Sequence, residues 1–170
     1  MYVKTRDLTL QPIRRQDIPA VAALFMDETV KQTYMVPDFP NTAAAEALAQ
    51  RIMALSEDPS RYVAGIFLDD RCIGILNETE RIGTSIEIGY ALLPAFHNRG
   101  YCTQALTGAM EYLLAQGFDE VVTGAFESNL ASIRVMEKSG MTPMSKQDEI
   151  SYRGNTHRCI YYRKGKEGAP

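Results

Sequence analysis

The most constraining feature of the sequence is a junction where a long β-rich run, residues 84–93, meets an amphipathic helix through a short polar turn. Pro94 ends the strand pattern, and Gly100 lies in the turn. Apolar residues then recur at helical spacing from 105 to 114, and Gly117 ends the helix. Such a junction presents several unpaired main-chain N–H groups at the positive end of a helix dipole. It is therefore a candidate phosphate-binding site.

Two residues of the turn favour an anionic ligand. Gly100 has no Cβ, so a phosphate oxygen can approach its backbone closely. Arg99 adds a charge-assisted hydrogen-bond donor. The alternative is an ordinary strand-to-helix connection in which Gly100 occupies a left-handed turn, and local geometry alone does not decide between the two.

The remaining segments alternate between strand and helix patterns. We predict strands near 8–13, 61–68, 71–76, 84–93, 120–126, 141–152 and 156–162, with helices from Asp17, over 42–55, after the turn that contains Gly100, and over 130–139. Antiparallel neighbours followed by a β-α-β-α unit and a closing hairpin indicate an α/β fold with a mixed sheet.

Length and charge describe one ordinary globular domain. The 170 residues are 45% hydrophobic, which suits a single domain of typical size. We assign residues 1–162 to it and expect 163–170 to form a flexible C-terminal tail without an apolar anchor. Eighteen basic against 21 acidic residues give a net charge of −3, which disfavours nucleic acid as a partner.

Cysteine usage and hydropathy predict a cytoplasmic protein without a metal. The three cysteines lie far apart, at 72, 102 and 159, and the two histidines have no neighbour at metal-ligand spacing. The first residues lack the apolar core of a signal peptide. The longest mostly apolar stretch, residues 18–26, contains Pro19 and is too short to cross a bilayer, so we expect no membrane partner.

The junction resembles the acyl-CoA pyrophosphate motif of the GNAT superfamily of N-acetyltransferases. That motif reads Q/R-x-x-G-x-G/A, and residues 97–102 read HNRGYC. The wider run 88–105 is similar to I-G-Y-W-L-x-P-x-Y-W-x-K/R-G-Y-A-T-E-A of the ribosomal-protein N-terminal acetyltransferases and their relatives. Residues 129–141 are similar to a second signature of that branch, N-x-x-S-x-x-V/L-x-E-K-x-G-F. Departures occur at His97, Cys102 and Met141, and the likeness runs from about residue 5 to 162.

The resemblance implies a GNAT-type α/β domain. Its sheet would be mixed, mostly antiparallel and splayed, with six to seven strands and about four helices. Acetyl-CoA would be the co-substrate, with its diphosphate at Asn98, Arg99, Gly100, Tyr101, Cys102 and Thr103 and its pantetheine arm at Asn129. Asn129 also has the simpler interpretation of a helix cap.

A glycine within the strand supports a split in the sheet. Gly89 interrupts a strong strand and is typical of a bulge or a close backbone approach. A bulge would separate this strand from residues 121–126 and leave an edge for an amide-rich ligand. We expect the pantetheine amides to pair near Leu92 and Leu93, with room left by Gly124. A merely loose sheet position is the alternative.

Two residues are candidate catalytic groups for direct attack of an amine on the thioester. Glu87 lies within an apolar run and could accept the amine proton, or could be a solvated carboxylate on an open face. Ser132, in the second signature, could protonate the thiolate or could cap its helix. Many members of the superfamily use a tyrosine near the position of Met136 as the acid, and this chain lacks it.

The function that the resemblance implies is transfer of an acetyl group from acetyl-CoA to a primary amine, either a protein N-terminus or a small molecule. Residues 30–41 would shape the acceptor pocket, or would be a packed loop. A CoA-binding sensor or partner-binding module that has lost turnover is the competing interpretation. A homodimer stays open as the assembly state.

Overall fold

The computed structural model describes residues 1–166 and consists of one eight-stranded sheet with helices on both faces. The helices are α1 (Ile18–Met26), α2 (Glu28–Lys31), α3 (Thr42–Glu57), α4 (Tyr101–Ala115) and α5 (Leu130–Lys138). The strands are β1 (Val3–Lys4), β2 (Leu8–Gln11), β3 (Val63–Leu68), β4 (Arg71–Ile82), β5 (Ser85–Leu92), β6 (Glu120–Phe126), β7 (Thr142–Tyr152) and β8 (Asn155–Gly165). Their order is β1-β2-β3-β4-β5-β6-β8-β7.

The alternation of side chains along β5 shows how the two layers form. Ile86 and Ile88 are fully buried in the core beneath α4, whereas Ala91 belongs to the core formed with α1 and α3. Successive strand residues point to opposite faces, so β5 contributes to both cores. The sheet is therefore covered on each side by apolar helix faces, as its continuous apolar strands predict.

The sheet splits between β5 and β6. These two strands are parallel, and their pairing begins at Ser85 with Glu120 and ends at Glu87 with Val122. Just beyond the last rung, the buried Thr123 hydroxyl donates a hydrogen bond to the Ile88 carbonyl. Main-chain pairing is thus replaced by one side-chain contact at the vertex, and the strands part beyond it.

The predicted mixed, mostly antiparallel and splayed sheet is confirmed, but the bulge is not at Gly89. Gly89 pairs in register with Asn77, and the extra residue is Thr79 on β4, between the partners of Ile88 and Glu87. A residue inserted into a strand bends it locally. Gly89 therefore lies close to the bulge but does not form it.

The structure differs from the sequence prediction in the number of strands, in one helix and in the end of the domain. The sheet has eight strands rather than six to seven, and one of them is β1, of two residues, paired with β2. Helix α2, of four residues, follows α1 after Asp27 and was not predicted. The domain does not end at 162, because residues 163–165 continue β8 and pair with 120–122 of β6. The last part of the predicted tail, 167–170, lies outside the described residues.

Within residues 1–166, no helix is both long and apolar enough to cross a membrane.

Candidate active site

The split between β5 and β6 opens into a cleft of about 480 Å³. Its walls are residues 89–92 of β5, 96–98 and 100–103 of the turn and α4, 123–125 of β6, six residues between 129 and 138, and 29, 30, 33 and 34 around α2. The cleft therefore joins the end of the phosphate turn, on one face of the sheet, to the α2 segment.

The predicted phosphate turn, residues 98–103, has the geometry of an anion site. Gly100 is the N-cap of α4 with φ +79°, and Asn98 also has a positive φ, +60°. In the part of the chain that the structure describes, the main-chain N–H groups of 98–103 donate no hydrogen bond. A Cβ on Gly100 would meet nothing within 4 Å. Six consecutive donors thus remain free at the positive end of a fifteen-residue helix.

The cleft-facing edge of β5 is set by hydrogen-bond alternation. The Leu93 N–H donates to the Ile73 carbonyl at 2.9 Å, so in antiparallel pairing Tyr90 and Leu92 direct their main-chain groups away from β4. His97 Nε2 lies 2.9 Å from the Leu92 carbonyl oxygen and donates to it. The Leu93 amide is therefore engaged with β4. Contrary to the prediction, Leu93 does not line the cleft, whereas Tyr90 and Leu92 do.

The positively charged residues that line the cleft differ from the one that was predicted. Arg99 does not line the cleft, and its guanidinium lies 6.0 Å from the Phe96 ring centroid. Arg134 and Lys138, on successive turns of α5, do line it. These two side chains add positive charge to the wall of the cleft and are suited to a negatively charged ligand.

A hydroxyl pair connects β5 to α5 inside the cleft. The Tyr90 hydroxyl oxygen lies 2.8 Å from Ser132 Oγ. Ser132 does not cap its helix. The Asn129 Oδ1 does so, accepting from the Ser132 N–H at 3.1 Å, as one interpretation of Asn129 predicts. Burial raises the pKa of the Tyr90 phenol above its ordinary value, so the pair is protonated at neutral pH.

Glu87 lies at the vertex rather than in the cleft lining. It is the last β5 residue paired with β6, and its side chain is 21% exposed. Its Oε1 accepts from the Thr79 hydroxyl at 3.0 Å, and Lys146 Nζ is 3.9 Å from its Oε2. Glu87 points to the face opposite Tyr90 and Ser132, because it alternates with Ile86 and Ile88 along the strand.

One wall of the cleft comes from the segment 30–41, the predicted acceptor-pocket region. Val30, Thr33 and Tyr34 line the cleft, and the Tyr34 hydroxyl donates to Asn77 Oδ1 at 2.5 Å. Gly124 lines the cleft too, but its lack of a side chain has another cause. A Cβ there would lie 2.7 Å from the Tyr161 ring.

Cys102, which replaces the usual small residue of the motif, is part of the wall. It is half-buried at the start of α4, and burial raises the pKa of its thiol to about 12. The thiol is therefore protonated at neutral pH, and this position behaves as a small apolar residue. Its main-chain amide is one of the six free donors.

A family model for the acetyltransferase (GNAT) domain matches residues 7–142. The chain belongs to the GNAT acetyltransferase family. The GNAT chain is 24% identical over 159 residues to an uncharacterized N-acetyltransferase, YoaA, from Bacillus subtilis, covering 91% of this chain and 90% of that protein.

Solved GNAT structures share the fold across nearly all of the chain. An acetyltransferase of the GNAT family from Bacillus anthracis superposes with a TM-score of 0.84 at 20% identity, covering 98% of this chain and 99% of that one. RimL, a ribosomal L7/L12 alpha-N-protein acetyltransferase in complex with coenzyme A, superposes with a TM-score of 0.82 at 20% identity, covering 99% and 100%. The family resemblance inferred from the two motifs is confirmed.

The sequence analysis did not single out several polar lining residues, among them Tyr90, Arg134 and Lys138. Tyr90 stands in the strand part of the first motif, directly after Gly89, so a signal for it was present. Lys138 and Arg134 fall within the second motif, but a helix with several charges predicts only a solvated face. Their place in the cleft depends on how α5 packs beside β6.

Proposed function

We propose that the protein transfers the acetyl group of acetyl-CoA to a primary amine, a protein N-terminus or a small molecule. The observation that carries the proposal is the set of six free main-chain amides at 98–103 beside the split between β5 and β6. A diphosphate fits the first feature, and an arm with two amides fits the open edge of β5. RimL, which has the same fold, is described in complex with coenzyme A.

The reaction divides between the two faces of the sheet. The amine nitrogen attacks the thioester carbonyl, a C–N bond forms, and the C–S bond breaks. The amine loses one proton and the departing thiolate gains one. Ser132, hydrogen-bonded to Tyr90 on the α5 face, is the proposed proton donor to sulfur. Glu87, on the opposite face beside Thr79, is the proposed acceptor of the amine proton, directly or through water.

The hydroxyl pair can supply its proton without charge separation in the resting state. When the Tyr90 hydroxyl donates to Ser132 Oγ, the serine proton is directed elsewhere and is available to a sulfur atom in the cleft. Tyr90 then stabilises the serine oxygen as its proton leaves. This arrangement takes the place of the helix tyrosine that the chain lacks.

Thioester consumption with an amine panel tests the proposal. Purified protein is given acetyl-CoA with peptides that carry a free N-terminal serine or alanine, and separately with alkyl, aryl and polyamine acceptors. We expect at least one acceptor to be acetylated, with the product identified by mass. Tight acetyl-CoA binding with turnover no faster than solution hydrolysis on every amine would instead favour a CoA sensor. Absence of acetyl-CoA binding would refute the proposal altogether.

A further inference from the structure

The tip of the β7–β8 hairpin contacts the chain segment around α2, more than 110 residues away in sequence. The Tyr152 hydroxyl oxygen lies 2.8 Å from the carbonyl oxygen of Lys31, 3.2 Å from that of Val36 and 3.4 Å from that of Tyr34. A phenol has one proton, so the shortest contact is its hydrogen bond and the other two carbonyls face the same hydroxyl. One side chain thus contacts three main-chain carbonyl groups of the segment 31–36.

Those carbonyls belong to a segment that needs outside support. Helix α2 has only four residues, and a helix of one turn is not stable alone. Asp27 caps its start, accepting from the amides of Thr29 and Val30. At its other end the Lys31 carbonyl is one of the last helix carbonyls, which lack partners within the helix. The Tyr152 hydroxyl supplies that partner.

Four charges next to Tyr152 close a second connection. Arg153 contacts the carboxylates of Glu28 at 3.0 Å and Asp38 at 3.4 Å. Lys31 Nζ, on a side chain only 8% exposed, contacts the same two carboxylates. The signs alternate around this ring of four, and the hydrogen bonds with Asp38 and Glu28 raise the pKa of Lys31.

The segment fixed in this way is one wall of the cleft. Thr29, Val30, Thr33 and Tyr34 line the cleft between the two ends that Tyr152 and the ring of four charges hold. From the other side, Tyr34 donates its hydroxyl proton to Asn77 on β4. The wall is therefore held through β4 and through the hairpin tip. Within residues 1–166, no hydrogen bond or ion pair joins the hairpin tip to residues 98–103 or to α5.

We propose that Tyr152 and Arg153 are positioning residues for the acceptor: they hold the α2 wall and so set the affinity for the amine, without contacting the acetyl-CoA side. The inference rests on the proposed function. It assigns to the hairpin tip a role in acceptor specificity that the part of the cleft beside residues 98–103 does not share.

The first experiment is Tyr152→Phe, which removes one oxygen and keeps the ring. We expect KM for the fastest panel acceptor to rise about fivefold to tenfold, as for the loss of one ordinary hydrogen bond. We expect kcat and the acetyl-CoA Kd, from calorimetry, to change less than twofold. Tyr112→Phe, on α4, is the matched control, since its hydroxyl has no hydrogen-bond partner within residues 1–166. A Tyr152→Phe variant with unchanged KM would overturn the inference.

The second experiment separates charge from shape. Arg153→Ala should raise the acceptor KM. Arg153→Lys should raise it less, because a lysine keeps the charge but loses the two-pronged contact. Arg158→Ala is the control. This arginine lies on β8 and pairs with Glu127, at 3.5 Å, and not with the α2 segment. Equal KM values for the Arg153→Ala and Arg158→Ala variants would count against the ring of four charges.

Hydrogen exchange makes the outcome independent of turnover. In the Tyr152→Phe and Arg153→Ala variants, amides of 28–38 should exchange at least about tenfold faster than in the wild-type protein, with those of α4 unchanged. If the wild-type protein acetylates no amine, the proposed function fails by itself, and exchange still decides whether the hairpin holds this segment. Unchanged exchange in 28–38 would refute the positioning role, as would faster exchange with no change in acceptor KM.

Discussion

The Tyr90 hydroxyl and the Ser132 hydroxyl lie 2.8 Å apart across the cleft, and this contact joins the strand that borders the split to the helix of the second motif. Both residues line the cleft, on the face opposite Glu87. A donor and an acceptor proposed for the same reaction thus lie on opposite sides of the sheet. The split is the opening through which the two can act on one acyl group.

Removing either hydroxyl should slow chemistry rather than binding. We expect Ser132→Ala and Tyr90→Phe each to lower kcat by about 10- to 100-fold, within the range of general acid catalysis. The acetyl-CoA Kd should stay within about twofold. Because the two hydroxyls act as one unit, the double variant should be little slower than the worse single variant. Fully multiplicative losses in steady-state kinetics would show that they act independently.

The pH dependence of kcat should carry no alkaline loss below about pH 9.5. Burial raises the pKa of Tyr90 above the ordinary value of about 10, so its phenol keeps its proton as the pH rises. The acid form is therefore present throughout the range, and kcat should rise as the bound amine loses its proton and then level off. A decline of kcat between pH 8 and 9.5 in the stable enzyme would contradict this role.

Local sequence features were sufficient for the phosphate turn. Pro94, Gly100 and the apolar stripe of α4 lie close together in sequence, and the backbone that they dictate depends little on the rest of the chain. Gly100 does occupy the left-handed region, as one interpretation held. The free amides show that this conformation and an anion site are compatible rather than alternatives.

Features that depend on distant contacts were not predictable from the pattern. Tyr90 and Ser132 are 42 residues apart, and α2 is completed by Tyr152 from the far end of the chain. The bulge at Thr79 has no glycine or proline to mark it. Residues 163–165 look like a polar tail, yet they form the end of β8 because β6 offers main-chain partners there.

Thr123 should stabilise the vertex of the split. The isosteric Thr123→Val removes the hydroxyl that donates to the buried Ile88 carbonyl, so we expect unfolding to become easier by about 1–3 kcal/mol. Urea denaturation measures this change. Thr107→Val is the control, because Thr107 lies on α4 and its side chain makes no hydrogen bond within residues 1–166. Equal destabilisation by the two substitutions would exclude a special role for the vertex contact.

Arg134 and Lys138 should contribute to acetyl-CoA affinity through charge. We expect Arg134→Ala and Lys138→Ala each to weaken binding by about threefold to tenfold at low salt, and less at about 0.5 M NaCl, where exposed charges are screened. Isothermal titration at both salt concentrations measures the effect. Arg51→Ala, on the exposed side of α3, is the control. Losses that do not depend on salt would indicate packing rather than charge.

Gly100 allows strain and ligand approach to be separated, because Gly117 at the other end of α4 is its natural control. Both have positive φ, +79° and +107°, and a Cβ at either position would meet nothing within 4 Å. Gly100→Ala and Gly117→Ala should therefore each cost about 1–2 kcal/mol of stability from the left-handed backbone. Only the methyl group at position 100 would project beside the free amides, so only that variant should weaken acetyl-CoA binding, by about tenfold or more. Parallel denaturation and calorimetry measure both quantities, and an unchanged acetyl-CoA Kd in the Gly100→Ala variant would remove the turn from the binding site.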